Sequence, residues 1–160
     1  MHPTRIDLPE TTRTRAIEVL APRLADAIDL RLQVKQAHWN VKGPNFIALH
    51  QLFDKVADEA DEWADELAER ITALAGVAEG TLQAIGKRSG LAAYSLTLTE
   101  GLQHLAALQS VLAQFGREIR TSIDLATKLD DAGTADLFTQ LSREVDKQLW
   151  FIEAHLQAAR

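Results

Sequence analysis

The stretch "NFIALHQLFDKVADEADEWADELAERITALA", residues 45–75, carries the strongest helical pattern in the chain. Its apolar residues recur at steps of three and four, the spacing that places side chains along one side of an α-helix. We therefore expect a helix from about Asn45 to Ala75, with Gly76 as its stop. The apolar stripe consists of Phe46, Leu49, Phe53, Val56, Ala60, Trp63, Leu67, Ile71 and Leu74.

Similar spacing recurs on both sides of this segment, and no segment alternates as a strand would. A first helix is predicted over roughly 10–40, ended by Gly43-Pro44, because proline disfavours helix in the residue before it. Thr97 and Glu100 fit a capping box that opens a third helix, which ends near Asp130. A fourth helix is predicted to follow "DDAGT" and to run to the C-terminus.

The long segment between the second and third helices, residues 76–96, holds four of the eight glycines and one short predicted helix at "TLQAI". About twenty extended residues can span a helix of about 45 Å. Two short connections around one long one predict an all-α fold, a ferritin-like four-helix bundle with a single crossover. A chain of 160 residues predicts one domain, 1–160, with about 1–10 as a flexible tail.

The composition limits the kinds of metal site and binding partner that the chain can have. The absence of cysteine excludes disulfides and thiolate metal sites, so any metal must be held by histidine and carboxylate. The formal net charge of −6 argues against a surface built as a whole for nucleic acid. No membrane-spanning run and no secretion signal occur in the sequence, which leads us to expect a soluble, cytoplasmic protein.

A second stripe on the same predicted helix is made of acidic residues and one histidine. Their steps are 4, 4, 3, 4 and 4, so they share one side of the helix. Like charges at this spacing repel each other, which indicates that something cationic faces them. The stripe consists of His50, Asp54, Asp58, Asp61, Asp65 and Glu69.

The stripe is symmetric about a point between residues 59 and 60. Asp54 and Asp65 lie eleven residues apart, or about 16 Å along a helix, so the two ends cannot share a metal within one chain. Two antiparallel copies around a two-fold axis would bring His50 and Asp54 of one subunit against Asp65 and Glu69 of the other. His38, at the end of the first helix, would complete a site suited to Fe(II), Mn(II) or Zn(II).

A simpler interpretation stays open at this stage. The carboxylates could form a solvated helix face, with the two histidines as hydrogen-bonded core residues. His2, His104 and His155 have no paired carboxylate motif, and we expect them to be surface or helix-face histidines and not ligands.

Three motifs resemble the Dps family, the mini-ferritins also described as DNA-binding proteins from starved cells. "HWNVKGPNFIALHQLFD" is similar to the first family signature through His38, Trp39, Gly43, His50 and Asp54. "DELAERITAL" is similar to the second through Asp65, Glu69 and Arg70, and "TADLFTQLSREVDKQLWFIE" is similar to the family's C-terminal helix.

The resemblance implies a ferroxidase site shared between subunits, with His38, His50 and Asp54 from one subunit and Asp65 and Glu69 from its two-fold mate. It implies a hollow homododecamer that oxidises Fe(II), preferably with hydrogen peroxide and otherwise with dioxygen, and stores Fe(III) mineral, with zinc or manganese as surrogate metals. Trp39, next to His38, would be placed to intercept oxidising equivalents.

Other family features transfer less directly. Three-fold iron entry channels of the family suggest Asp130, Asp131 and Asp136, for which loop and helix-capping roles are the alternative. Gln51 and Lys55 stand where many relatives have acidic residues, so mineral nucleation would rest on others. The candidates for nucleation are Asp58, Glu59 and Glu62.

Competing functions remain. A ferritin or bacterioferritin with a di-iron centre inside each bundle would need Glu-x-x-His motifs, and none occurs in the sequence. A nucleoid-associated, DNA-coating protein would need a basic tail, whereas the first fifteen residues offer only Arg5, Arg13 and Arg15 against Asp7 and Glu10. We therefore expect DNA binding to be weak or absent. A metal-free helical scaffold is the third alternative.

Overall fold

The computed structural model describes residues 1–157, and helices are its only regular secondary structure in that range. The expected all-α class is therefore confirmed. The helices are α1 (Glu10–Asn40), α2 (Phe46–Ala73), α3 (Leu82–Arg88), α4 (Gly101–Lys128) and α5 (Ala132–Gln157). No helix among residues 1–157 combines the length and apolar character that crossing a membrane requires.

The four long helices form two hairpins. α1 packs along α2 and α4 along α5, while contacts of α1 with α4 and of α2 with α5 join the hairpins into one bundle. The crossover between α2 and α4 carries α3, which packs on α1. At the end of the crossover, the Thr99 carbonyl accepts from the backbone N–H of Lys42 at 2.9 Å. This hydrogen bond joins the crossover to the α1–α2 loop. This is the predicted ferritin-like arrangement.

The core lies between the four long helices and contains large aromatic side chains. Trp63, Phe53, Phe115 and Phe138 are fully buried, and the rings of Trp63 and Phe115 stack with centroids 5.9 Å apart. Burial of each such side chain contributes about 1.5–3 kcal/mol. The apolar stripe of α2 is therefore the core face, which leaves its acidic stripe on the outside.

The end of α2 differs from the prediction that Gly76 is the stop. Ala75 is the residue in the left-handed region, at φ +69°, a conformation that costs a residue with a Cβ about 1 kcal/mol. Gly76 serves a different purpose. A Cβ on it would lie 2.7 Å from Ile17 Cδ1, so the glycine permits the close approach of the chain to α1.

The start of α4 also differs. The predicted capping box of Thr97 and Glu100 is displaced by three residues, because Glu100 itself precedes the helix. The Gln103 side chain accepts from the Glu100 backbone N–H at 3.3 Å. The short helix α3 is confirmed and is longer than expected, and its Thr81 hydroxyl accepts from the Ala84 N–H at 3.4 Å.

α5 begins inside the segment that was predicted to be a loop. Asp130 adopts a left-handed φ of +57° and separates α4 from α5. Asp131 then accepts hydrogen bonds from the N–H and hydroxyl of Thr134, a capping contact that starts the helix at Ala132.

Candidate metal centre

His38 and His50 are brought together by the hairpin of α1 and α2. Their rings stack with centroids 3.7 Å apart and an interplanar angle of 21°. His38 Nδ1 lies 2.8 Å from the His50 carbonyl oxygen, and His50 Nδ1 lies 2.8 Å from the His38 carbonyl oxygen. The two residues therefore hold each other in one orientation through reciprocal contacts.

This reciprocity defines the tautomer of each ring. A carbonyl oxygen can only accept, so Nδ1 of each histidine must carry the proton and donate. In the neutral form of each ring, Nε2 then keeps its lone pair for a cation. Metal-ligating histidines are commonly oriented in this way, with the second nitrogen donating to a backbone carbonyl. Hydrogen-bonded core histidines would make the same contacts, so the role of the pair as ligands stays a prediction.

Asp54 lies beside the histidines but is engaged by a lysine. Lys35 Nζ donates to Asp54 Oδ1 at 2.6 Å, and His38 Nδ1 lies 3.7 Å from the same oxygen. The hydrogen bond from Lys35 holds the pKa of Asp54 below its ordinary value, and the charges of His38, Lys35 and His50 act in the same direction. A metal ion that binds Asp54 Oδ1 competes with the Lys35 ammonium for that oxygen.

Lys35 was not recognised from the sequence. It lies one helical turn before His38, which places both side chains on the same side of α1. Its Nζ also lies 5.8 Å from the ring centroid of Trp39. The lysine therefore links the candidate ligand Asp54 to the tryptophan that the family resemblance singles out.

Asp65 and Glu69 lie farther along α2 and are exposed. They do not reach His50 and Asp54 within the chain. Among the described residues, no group of three or more His, Asp or Glu is arranged to hold a metal. The candidate ligands of one subunit therefore lie in two groups, or candidate half-sites, at the two ends of one helix face, and their joining across a two-fold axis stays a prediction.

The rest of the acidic stripe is partly paired within the chain. Arg31 Nε lies 2.8 Å from Asp61 Oδ1, so α1 supplies part of the cationic charge expected to face α2. Within the part of the chain that the structure covers, no ion pair involves Asp58, Asp65 or Glu69.

Large apolar side chains are exposed close to the histidines. Trp39 is 65% exposed and Ile47 is 61% exposed, and Phe46 and Leu32 are also accessible. Exposed apolar surface that flanks polar groups is typical of a protein–protein contact. This surface and the half-sites both lie on the α1–α2 hairpin.

The three aspartates suggested for iron entry have different environments. Asp130 and Asp136 are exposed. Asp131 is only 1% exposed, and its carboxylate accepts from Arg70 Nη2 at 2.8 Å as well as from Thr134. Its contacts are therefore structural in this chain, and the prediction of an entry channel rests on Asp130 and Asp136.

Of the residues suggested for nucleation, Asp58 belongs to the acidic stripe of α2, and Glu59 and Glu62 lie beside it. Asp58 and Glu62 are exposed and Glu59 is half-buried, and they line one groove with Lys55 and Lys147. Beyond them, Gln140 Nε2 bridges Glu66 and Glu144 at 3.2 and 3.1 Å. Burial, followed by the charge of Glu144, raises the pKa of Glu66, a carboxylate that the sequence analysis did not single out.

The other histidines divide into two groups. His2 and His155 are exposed, as expected. His104 lies on a face of α4, but on the buried face and not at the surface, where it is 1% exposed and hydrogen-bonded to Tyr94. A signal for this burial was present, because His104 precedes the core residue Leu108 by one helical turn.

Comparison with known proteins gives a consistent result. Residues 17–160 match the family model of the ferritin-like domain. The chain is 44% identical over 156 residues to the DNA protection during starvation protein of Agrobacterium fabrum, covering 98% of this chain and 96% of that protein. The tetragonal form of Dps from Mycobacterium smegmatis superposes with a TM-score of 0.93 at 34% identity, covering 99% of this chain and 96% of the other. DpsA14 from Streptomyces coelicolor gives a TM-score of 0.91 at 37% identity, with 98% and 92% covered.

Proposed function

The chain belongs to the Dps family of ferritin-like proteins, and on that basis we propose that it oxidises Fe(II) and stores the ferric product as a mineral. The oxidation uses hydrogen peroxide in preference to dioxygen. It takes place at sites shared by two subunits, within a hollow homododecamer. The outcome is protection from the oxidative damage that free Fe(II) and peroxide would cause.

The observation that supports this proposal is the reciprocal pairing of His38 and His50, which engages Nδ1 of each ring and leaves Nε2 as the nitrogen available to a cation. Asp54 adds a carboxylate at the same end of α2, and Asp65 and Glu69 of a two-fold partner would supply the remaining oxygen ligands. A mixed nitrogen and oxygen set of this kind suits Fe(II) that must meet an oxidant.

The chemistry assigned to the chain's own residues is binding and orientation. The histidines bind through Nε2 while their Nδ1–H groups stay on the carbonyls, so the rings cannot turn away from the substrate iron. Lys35 leaves Asp54 as the metal enters. Two Fe(II) ions then reduce one hydrogen peroxide, and Trp39 lies next to the site to intercept stray oxidising equivalents.

The proposal is tested by loading the purified protein with Fe(II) without oxygen and adding a stoichiometric pulse of hydrogen peroxide. We expect rapid formation of ferric absorbance in the wild type. In the His38→Ala/His50→Ala double variant the rate should fall to that of iron in buffer. Zn(II) binding by both proteins, measured separately, shows whether the variant that loses iron oxidation has also lost metal binding. An assembled wild type that oxidises iron no faster than buffer would refute the proposal.

The second candidate, a DNA-coating protein, is favoured by the names of the relatives. In the structure the N-terminal segment offers less positive charge to DNA than its sequence suggests, because Arg13 is buried and donates to the carbonyls of Leu8 and Leu74. Arg5 and Arg15 remain exposed. We expect a gel shift with duplex DNA to show little binding at moderate salt. Retardation that persists at moderate salt would favour the second candidate.

A further inference from the structure

Tyr94 and His104 form a buried hydrogen-bonded pair that the proposed iron chemistry does not use. The Tyr94 hydroxyl lies 2.7 Å from His104 Nδ1, and the two rings are nearly parallel at 13°. Tyr94 belongs to the crossover and His104 to the first turn of α4. Both pack against the core, and His104 is almost inaccessible to solvent.

The direction of this hydrogen bond follows from the surroundings of His104. Burial lowers the pKa of the His104 imidazole and raises that of the Tyr94 phenol, so both groups are neutral near pH 7. The backbone carbonyls of Leu98 and Asn40 lie toward the ring and favour a proton on it, although His104 Nε2 has no hydrogen bond of good geometry. With that proton on Nε2, Nδ1 accepts and the phenol donates.

The pair contacts residues that are close in sequence to the candidate ligands. The His104 ring is 6.3 Å from the ring of Phe53, which immediately precedes Asp54 in α2. Asn40, whose carbonyl lies toward His104, follows His38 by two residues. These two contacts place the pair next to the chain segments that carry His38 and Asp54.

We propose that Tyr94 and His104 act as an internal electron and proton donor that quenches a hydroxyl radical formed at the iron site. A peroxide that meets a single Fe(II) receives one electron and yields Fe(III), hydroxide and a hydroxyl radical. Tyr94 supplies the second electron and converts the radical to hydroxide. The phenolic proton moves to His104 Nδ1, leaving a neutral tyrosyl radical and an imidazolium.

Two features of the surroundings fit this transfer. The proton has only the existing 2.7 Å hydrogen bond to cross, so no heavy atom has to travel. The carbonyls of Leu98 and Asn40 lie where they stabilise the imidazolium, and burial disfavours that cation and returns the proton once the tyrosyl radical is reduced again. His104 is thus a positioning residue and a base, and Tyr94 is the redox group.

This inference rests on the proposed function for its oxidant, so the experiment has two arms. In the first, Fe(II)-loaded protein receives hydrogen peroxide and is frozen within milliseconds for electron paramagnetic resonance. In the second, iron-free protein is oxidised by a photogenerated ruthenium(III) complex. Tyr94 is the only tyrosine of the sequence, so any tyrosyl signal belongs to it, and growth on ring-deuterated tyrosine must narrow that signal.

Variants separate the roles of the two residues. We expect Tyr94→Phe to remove the tyrosyl signal and to increase trapping of hydroxyl radical. His104→Gln retains a polar side chain but not a base, and should lower the radical yield by about tenfold or more. His155→Gln is the matched control, because His155 also makes a 2.8 Å contact through Nδ1 but is exposed. It should leave the radical yield unchanged.

A solvent isotope effect on radical formation in the wild type tests the proton transfer without any variant. Radical formation in both arms, dependent on His104, supports the inference. Its absence while iron is oxidised at the histidine site overturns the inference and leaves the proposed function standing. A radical that forms only in the photochemical arm, without iron oxidation at the histidine site, supports the redox pair. The same result refutes the proposed function and shows that the iron site is not the source of the oxidant.

Discussion

Mixing a His50→Ala variant with an Asp65→Asn variant, each inactive alone, is expected to restore iron oxidation. Each substitution removes one ligand, and we expect each homogeneous protein to lose about a hundredfold in rate. In a mixed dimer both lesions fall in the same site, so the second site is intact. Random pairing gives about one intact site in four. The measurement is the rate of ferric absorbance after dissociation to subunits and reassembly.

The matched control mixes His38→Ala with His50→Ala. These two ligands come from the same subunit, so each site of a mixed dimer lacks one histidine and no recovery is expected. The contrast between the two mixtures does not depend on how well either variant binds iron. Subunit exchange confirmed by mass spectrometry, without recovery in the first mixture, would exclude a site shared across the two-fold axis.

The bundle could be predicted because its signals are long and repeated. The apolar stripe of α2 covers the whole helix, and every interior position of it is buried in the structure. The crossover could be predicted from its length alone, since an antiparallel neighbour would not need it. The positions of the candidate ligands follow from the same periodicity, because the spacing that buries Phe53 leaves His50 and Asp54 partly exposed, and the site that they would form stays a prediction.

Helix ends were less predictable because their signals are short and degenerate. Thr97 with Glu100 and Glu100 with Gln103 satisfy the same spacing, and only the contact of Lys42 with Thr99 selects between them by holding the chain extended there. At the end of α2, glycine preference indicated Gly76. In the structure Gly76 is instead needed where the chain packs closely against Ile17, and Ala75 adopts the left-handed conformation.

Side-chain contacts between different elements could not be predicted from the sequence. The pairing of Lys35 with Asp54 depends on how α1 and α2 are rotated against each other. The sequence offers several cations close to the histidines, and nothing in it ranks Lys35 above Arg31 or Lys42. The pairing of Tyr94 with His104 likewise depends on the path of the crossover over α4.

Replacing Arg70 is expected to cause a large loss of stability without removing a candidate ligand. Arg70 belongs to the motif that carries Asp65 and Glu69, but its side chain turns to the start of α5. Its Nη2 donates to Asp131 at 2.8 Å and its Nε donates to the Thr134 hydroxyl at 2.9 Å. Arg70→Met should lower the free energy of unfolding by about 3 kcal/mol. The thermal transition should fall by roughly 10 °C.

The control uses the same residue type at the same distance. Arg120 Nη1 lies 2.8 Å from Asp146, but the two side chains are 48% and 54% exposed, against 24% and 1% for Arg70 and Asp131. Arg120→Met should therefore cost less than about 1 kcal/mol. Calorimetry of the assembled proteins at equal concentration compares them. Equal losses for the two variants would show that burial of Asp131 does not decide the effect.

The order of the losses within the Arg70 pair follows from which charge is left behind. Arg70→Met leaves a buried carboxylate with only the Thr134 donors, whereas Asp131→Asn leaves a guanidinium that still reaches water and keeps an acceptor at the start of α5. The second variant should therefore lose less stability than the first. The double variant removes both charges and should recover much of the loss of Arg70→Met, because a neutral amide in place of the Asp131 carboxylate does not need a cation. Losses that simply add would mean that the two charges do not stabilise each other.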